Sequence, residues 1–129
     1  MNSVNFSPRS RFRSFKFAFR GLKSLLIFEH NSRIHLLAAV IVIILGFIFR
    51  ISLADWSLLI LVIGLVFLSE LINSSLEAIS DIVKPEWDEK IMRAKDYGAA
   101  AVLVIAIISI FIGGIIFVPR FLLLIYKIN

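Results

Sequence analysis

Residues 98–118 read GAAAVLVIAIISIFIGGIIFV, a run of 21 residues without a charge. At the rise of an α-helix this run is about 31 Å long, which matches the hydrocarbon thickness of a bilayer. Two other apolar runs precede it, over residues 34–49 and from about residue 53 to residue 68. The three runs predict three transmembrane helices. We assign them to residues 33–53, 56–83 and 96–118.

The composition supports a membrane protein and excludes other classes. Of the 129 residues, 60% are hydrophobic and 18% are charged, and the mean hydropathy is +0.96. Soluble domains carry about 25% charged residues. There is no cysteine, so disulfides, thiolate nucleophiles and cysteine-ligated zinc are excluded. We expect a single all-α domain over residues 1–129.

The segment before the first run mixes basic and aromatic residues. With about 100° per residue on a helix, Arg13, Lys16, Arg20 and Lys23 fall within an arc of about 80°. Phenylalanines and leucines occupy much of the remaining surface. This pattern predicts a basic amphipathic helix over residues 9–30, lying in the membrane surface. It does not fit a cleaved signal peptide, and anionic lipid explains the basic charge better than nucleic acid does.

The basic residues also predict the orientation in the membrane. Seven of them precede the first run and four lie between the second and third runs, whereas the opposite side has only three. Because cytoplasmic segments are enriched in Lys and Arg, the N-terminus and the second loop are expected in the cytoplasm. Pro119 and Arg120 are expected to end the third helix at the other interface.

The second span contains the polar stretch SELINSSLEAISD over residues 69–81. Glu70, Asn73, Glu77 and Asp81 are separated by 3, 4 and 4 residues and therefore share one helical face. An acid within a span costs about 2.5–3.5 kcal/mol on insertion scales, so a simple membrane anchor would not retain this face. We interpret the face as a functional site. The alternative is an acidic face in a water-filled crevice without chemistry.

The residue types on this face suggest phosphate chemistry. Carboxylate and amide oxygens can hold Mg²⁺, which usually takes one or two carboxylates and completes its shell with phosphates and water. A carboxylate that is free of metal can act as a general base. Glycine-rich nucleotide loops are absent from the sequence, so Lys95, beside Asp96, is the candidate phosphate-binding cation. His30 and His35 lack metal-ligand spacing, and we interpret both as interfacial hydrogen-bonding residues.

Longer motifs make the pattern specific. ELINSSLEAISD at residues 70–81 and RAKDYGAAAV at residues 93–102 resemble the bacterial integral-membrane diacylglycerol kinase and undecaprenol kinase family. SFKFAFRGLK at residues 14–23 and RIHLLAA at residues 33–39 also fit, so the resemblance covers residues 14–119. It implies a homotrimer in the bacterial inner membrane with active sites between subunits. It also implies transfer of the ATP γ-phosphate, with Mg²⁺, to a lipid alcohol at the cytoplasmic face.

The resemblance also implies roles for individual residues. Glu70 matches the catalytic base and Asn73 an amide that organises the site. Glu29 and Glu77 match the metal carboxylates, although Glu29 alone looks like a solvated acid at a helix end. The implied nucleotide-binding residues are Phe17, Glu29, Glu77, Glu86, Asp88, Lys95 and Asp96. The implied substrate-binding residues are Lys23, Arg33, His35, Trp56 and Glu70.

Three positions depart from the family pattern. Phe17 stands where Tyr is frequent, so an aromatic contact can persist without the hydroxyl. Ser75 replaces the usual Ala, which is a small polar change. Asp88 stands where His is common, and this puts the nucleotide contact of that loop in doubt.

Within this family the expected substrate is undecaprenol. The stretches NSRIH at residues 31–35 and ISLADW at residues 51–56 look more like undecaprenol kinases of Gram-positive bacteria. A polyprenol has no glycerol esters, so an apolar groove beside the surface helix can suffice for binding. The groove residues would be Phe15, Phe19, Leu22 and Leu26.

Other functions remain open at this level. Diacylglycerol is the alternative lipid, with Arg33 or His35 donating to its ester carbonyls. A non-catalytic membrane assembly protein is the alternative of a different class. An ion-coupled transporter would also use intramembrane acids, but such transporters have broken helices and repeats, and the three predicted spans contain no proline.

Overall fold

The computed structural model describes residues 8–128, which form four helices and no strand. The helices are α1 (Pro8–Phe28), α2 (His30–Ile48), α3 (Leu53–Val83) and α4 (Glu89–Ile128). The last three are long and apolar enough to cross a membrane. The prediction of an all-helical chain with three such helices is therefore confirmed. Residues 1–7 and 129 of the predicted single domain lie outside the described part of the chain.

A single residue, Glu29, separates α1 from α2. Its backbone is extended, with φ of −98° and ψ of 117°. Arg33 in α2 donates from Nε to the carbonyl of Leu26 at 3.1 Å and from Nη2 to the carbonyl of Ile27 at 2.7 Å. These carbonyls belong to the last turn of α1 and have no partner within the helix. Arg33 therefore holds the corner, and α1 ends at Phe28 rather than at the predicted residue 30.

The turn between α2 and α3 is a Schellman motif. The N–H of Ile51 donates to the carbonyl of Gly46 at 3.1 Å, and the N–H of Arg50 donates to that of Phe47 at 3.2 Å. Arg50 takes the left-handed conformation, with φ of 49°, that the motif requires. The turn directs the side chain of Ile51 into the core, where it is buried. For this reason α2 ends at Ile48, before the predicted residue 53.

The apolar core lies at the turn end of the bundle, around residues 49–52. Its buried members are Ile51, Leu59, Ile116 and Phe117, contributed by the turn, α3 and α4. Trp56 packs beside this core against α2. A Cβ at Gly46 would lie only 2.7 Å from Trp56 Cη2, so glycine is required for the approach of the two helices.

The prediction that Pro119 ends the third span is wrong, because α4 continues through it to Ile128. A proline removes one N–H from the helix and leaves a carbonyl one turn earlier without its partner. Next to it, Arg120 donates to the carbonyl of Ile116 and, at 2.6 Å, to Oδ2 of Asp55 on α3. Neither contact is to the carbonyl of Ile115, the one that Pro119 leaves free, but the ion pair with Asp55 and the buried Ile116 and Phe117 hold α4 against α3 on both sides of the proline.

The helices α3 and α4 form the most extensive interface, whereas α1 and α2 contact α3 over smaller areas. The ion pair between Asp55 and Arg120 joins one end of this interface, and that between Asp81 and Lys95 joins the other. The two helices are therefore antiparallel. This packing places the polar face of α3 beside the first turns of α4.

Candidate active site

Glu70 is the most buried charged residue of the described chain, with 3% of its surface exposed. His35, on α2, places Nε2 at 3.2 Å from Glu70 Oε1. This is an ion-pair distance, but the oxygen has no hydrogen bond of standard geometry among the described residues. A buried carboxylate oxygen without a donor is costly to a fold. Oε1 of Glu70 is therefore available to accept a proton or to contact a ligand. From the sequence we interpreted His35 as an interfacial hydrogen-bonding residue, and this interpretation did not predict its contact with Glu70.

Asn73 and Glu77 lie one and two turns beyond Glu70 on α3. Asn73 donates from Nδ2 to Glu77 Oε1 at 3.0 Å, so the amide holds one oxygen of the second acid. The other end of the amide, Oδ1, is buried without a hydrogen-bond partner among the described residues. It faces Gly98 on α4, where an added Cβ would collide with it. Glycine at position 98 therefore makes room for the amide.

Gly98→Ala is expected to lower kcat by about 10- to 100-fold, because the new Cβ must displace Asn73 and break its hydrogen bond to Glu77. Gly46→Ala is the matched control. It creates a similar collision with Trp56 at the turn end of the bundle, and we expect lower thermal stability with little change in kcat per folded molecule. Equal kcat in Gly98→Ala and the unmodified protein would contradict the role assigned to the Asn73 amide.

Glu29 joins the same region from the corner between α1 and α2. It is half-buried and lines a cleft between α1 and α3, together with Ser74 and Ser75. The hydroxyl of Ser74 is also buried without a hydrogen-bond partner among the described residues. Glu29 and Glu77 both lie within electrostatic range of Glu70. The fold thus brings Glu29, which lies far earlier in the sequence, to the two acids of α3, and helical periodicity does not predict this approach.

The donor set suits Mg²⁺ more than a transition metal. No group of three or more His, Cys, Asp or Glu side chains with metal-binding geometry occurs within residues 8–128. Mg²⁺, however, is commonly held by one or two carboxylates, with phosphates and water as the remaining ligands. Glu29 and Glu77 are two carboxylates near Glu70, whereas the Oδ1 atom of Asn73 is buried against Gly98 on α4. The residues fit a metal ion that binds together with a phosphate compound.

Charged residues in the loop between α3 and α4 form hydrogen bonds that stabilise the start of α4. Asp88 accepts hydrogen bonds from the N–H groups of Lys90 and Ile91, at 2.8 and 3.3 Å, and thereby caps α4. Lys84 donates to the same carboxylate at 2.5 Å, and this bond is the main cause that lowers the pKa of Asp88. The cap explains why α4 begins at Glu89 and not at the predicted residue 96.

The other predicted nucleotide-binding residues lie around this loop and on α1. Glu86 and Asp96 are exposed. Lys95 pairs with Asp81 on α3. Phe17 is 59% exposed on α1, and the guanidinium of Arg20 lies 5.6 Å from its ring centroid.

The predicted substrate-binding residues do not form one cluster. His35 contacts Glu70, whereas two guanidinium nitrogens of Arg33 are engaged by the carbonyls of α1. Lys23 is exposed on α1. Trp56 lies 14 residues before Glu70 on α3, a distance of about 21 Å along the helix axis. The structure therefore does not bring Trp56 to the site, and its contacts are with Gly46 and Phe47.

Comparison with known proteins places these residues in a family. The sequence profile described as prokaryotic diacylglycerol kinase matches residues 16–117. Undecaprenol kinase of Bacillus subtilis (strain 168) is 38% identical over 109 residues, which are 84% of this chain and 89% of that protein. Diacylglycerol kinase of Haemophilus influenzae is 36% identical over 105 residues (81% and 89%). That of Escherichia coli (strain K12) is 31% identical over 94 residues (73% and 77%).

The matched residues contain the whole polar face of α3, the Glu29 corner and the first turns of α4. The profile covers more than half of the chain, and the relatives are similar over most of their own length. The resemblance noted from the motifs is thus confirmed, and the chain belongs to the prokaryotic diacylglycerol kinase family, a family of membrane lipid kinases.

Proposed function

We propose that the protein transfers the γ-phosphate of ATP, with Mg²⁺, to the hydroxyl group of undecaprenol. The observation that carries this proposal is Glu70, a carboxylate buried within an apolar helix, in contact with His35 and with two further acids nearby. A lipid alcohol can bring its hydroxyl group to a carboxylate in an apolar span without leaving the bilayer. The site thus suits an acceptor that stays in the bilayer.

Glu70 acts as the general base in this proposal. It accepts the proton of the lipid hydroxyl, and the hydroxyl oxygen forms a bond to the γ-phosphorus. The bond between that phosphorus and the oxygen bridging to the β-phosphate breaks, and ADP leaves. His35, at 3.2 Å from Glu70 Oε1, restrains the position of the carboxylate. In this step the residue that orients the base lies on α2 and the base itself on α3.

Glu29 and Glu77 are the residues that we assign to Mg²⁺, with Asn73 fixing the orientation of Glu77. When bound, the ion neutralises charge on the phosphate groups during transfer. Lys95 and Asp96, on the first turns of α4, are assigned to the nucleotide. Lys95 lies beside Asp81, one turn from Glu77 on the same face of α3, and is thus close to where the phosphates would lie.

We further propose a homotrimer with the N-terminus and the active sites at the cytoplasmic face of the inner membrane. Most of the surface of each candidate span is not covered by its own chain. Glu77 lies within α3 and is only partly buried by its own chain. A neighbouring subunit would cover the rest of this acid. The excess of basic residues in α1 and in the loop between α3 and α4 supports the orientation.

The choice of undecaprenol is tested by the ratio of kcat/KM for undecaprenol and diacylglycerol in the same mixed micelles, with labelled ATP. We expect the ratio to favour undecaprenol, as the name of the Bacillus subtilis relative suggests. A tenfold preference corresponds to about 1.4 kcal/mol of transition-state binding. A tenfold preference for diacylglycerol would contradict the choice of lipid and leave the kinase assignment intact. Transfer to neither lipid would support the non-catalytic alternative.

A further inference from the structure

Three acids share the region around the buried carboxylate of Glu70. This residue is 3% exposed, and Glu29 and Glu77 lie within electrostatic range of it. Helix α4 adds no charge beyond its first turns, because residues 97–119 are uncharged. Burial and neighbouring like charges both oppose the ionised form of an acid. A general base must nevertheless be ionised when it accepts a proton, so the site needs a positive charge beside Glu70.

Two basic side chains near this end of the bundle are engaged elsewhere. Arg33 donates to the carbonyls of α1, and Lys95 pairs with Asp81. In the described part of the chain, the basic side chain at ion-pair distance from Glu70 is that of His35 on α2. Histidine gains or loses its charge between about pH 5 and 8 when its surroundings are neutral. His35 can therefore supply the positive charge in its protonated form.

The geometry of this contact suits a charge more than a hydrogen bond. Nε2 of His35 lies 3.2 Å from Oε1 of Glu70, although no hydrogen bond of standard geometry joins them. A neutral imidazole interacts well only along the direction of its N–H bond or its lone pair. An imidazolium attracts a carboxylate at this distance at any angle, because the Coulomb energy depends on the separation. The side chain of His35 is 22% exposed, so it can exchange a proton with its surroundings.

We propose that His35 works as an imidazolium whose charge keeps Glu70 in the ionised form that accepts the lipid proton. The inference rests on the proposed function, which makes Glu70 the base. The proton of the lipid hydroxyl goes to Glu70, and His35 keeps its own proton through the step. His35 is thus a positioning residue that acts through Glu70. A neutral side chain in its place could restrain the carboxylate but would not favour its ionised form.

The first test compares a neutral and a charged replacement of His35. The measurement is kcat with saturating lipid and labelled ATP from pH 6 to pH 9. His35→Gln should lower kcat at pH 7 by about tenfold or more, the effect of losing an opposite charge at this distance. This loss should shrink as the pH rises, because the base then loses its proton without the help of a cation. His35→Lys keeps the charge and should retain most of the kcat at pH 7.

The matched control is His30→Gln, because His30 is exposed on the same helix. It should leave kcat unchanged over the whole pH range. A His35→Gln protein with the pH profile of the unmodified protein would overturn the proposal. So would a His35→Gln protein that is slowed equally at every pH, since a merely structural role has that result. If His35→Lys fails to fold, the pH profile of His35→Gln still decides.

The second test needs no activity. Thermal unfolding in detergent is measured at pH 6 and pH 9 for the unmodified protein, His35→Gln, Glu70→Gln and the double variant. At pH 6 the replacement of His35 should lower the unfolding temperature by about 4 °C more when Glu70 is present than when it is glutamine. At pH 9 an imidazole is neutral, so this difference should disappear. No difference at pH 6, or an equal difference at both pH values, would overturn the proposal.

The two tests together separate this inference from the proposed function. Phosphate transfer by the unmodified protein without coupling of His35 and Glu70 at pH 6 would overturn the charge role of His35 alone. Transfer to neither lipid would contradict the proposed function, and the role of His35 in catalysis would then be excluded with it. The unfolding measurements would in that case still report whether the two side chains form an ion pair.

Discussion

Glu70→Gln is expected to lower kcat by about 10²- to 10⁴-fold, the range that a positioned general base contributes. Glutamine keeps the shape of the side chain but cannot take the proton of the lipid hydroxyl. The replacement also removes a charge that is buried within an apolar helix, and glutamine keeps an oxygen that His35 can reach, so stability should not fall. Labelled ATP and purified protein in lipid micelles provide the measurement.

The control for this experiment is Glu89→Gln. Glu89 is an exposed acid that pairs with Arg93 at 2.5 Å on the surface of α4, and its loss should leave kcat unchanged. Both variants should keep the unfolding temperature and the nucleotide affinity of the unmodified protein. A Glu70→Gln protein with near-normal turnover would exclude Glu70 as the base, and the assignment of the site would then have to be abandoned.

Removal of either proposed metal carboxylate should have the second large effect. Glu29→Ala and Glu77→Ala are each expected to raise the Mg²⁺ concentration for half-maximal activity by at least about tenfold, since even outer-shell partners of a metal contribute this much. If both residues hold the same ion, the double variant should lose less than the sum of the single losses, with a coupling of about 0.5–3 kcal/mol.

The position of Glu29 makes a further control necessary for the Mg²⁺ experiment. Glu29 lies at the corner that Arg33 stabilises, so a loss in Glu29→Ala must not come from movement of α1. Glu29→Gln keeps the size of the side chain and should show the same Mg²⁺ dependence as Glu29→Ala. Fully additive effects of Glu29 and Glu77 would argue against a shared ion, and Glu89→Ala again serves as the unaffected control.

Much of the fold could be predicted because membrane helices follow from local composition. The uncharged run at residues 98–118 predicts a membrane helix because its helical length matches the thickness of the bilayer. In the structure this run is part of α4. The error at Pro119 has a clear cause. A proline ends a helix when its effect is considered locally, but the pairing of Arg120 with Asp55, 65 residues earlier, holds α4 against α3 beyond the proline, and the local sequence does not show this contact.

The site could be predicted only in part. The spacing of Glu70, Asn73 and Glu77 identified one face of α3, because helical periodicity relates residues within the same helix. Glu29 came from family resemblance alone, since its place near Glu70 depends on the angle between α1 and α2. The contact between Asn73 and Gly98 was not predicted either, because it depends on how closely α3 and α4 pack.

The sequence by itself determined that this protein has three apolar helices of membrane-spanning length, an acidic face on the second and the motifs of a lipid kinase family. These features depend on the hydrophobic effect and on helical periodicity, both of which operate between residues that are near in sequence. Only the tertiary structure decided that His35 meets Glu70 and that Glu29 approaches from the corner. The reason is that these distances are set by the packing of whole helices against one another, which no single segment specifies.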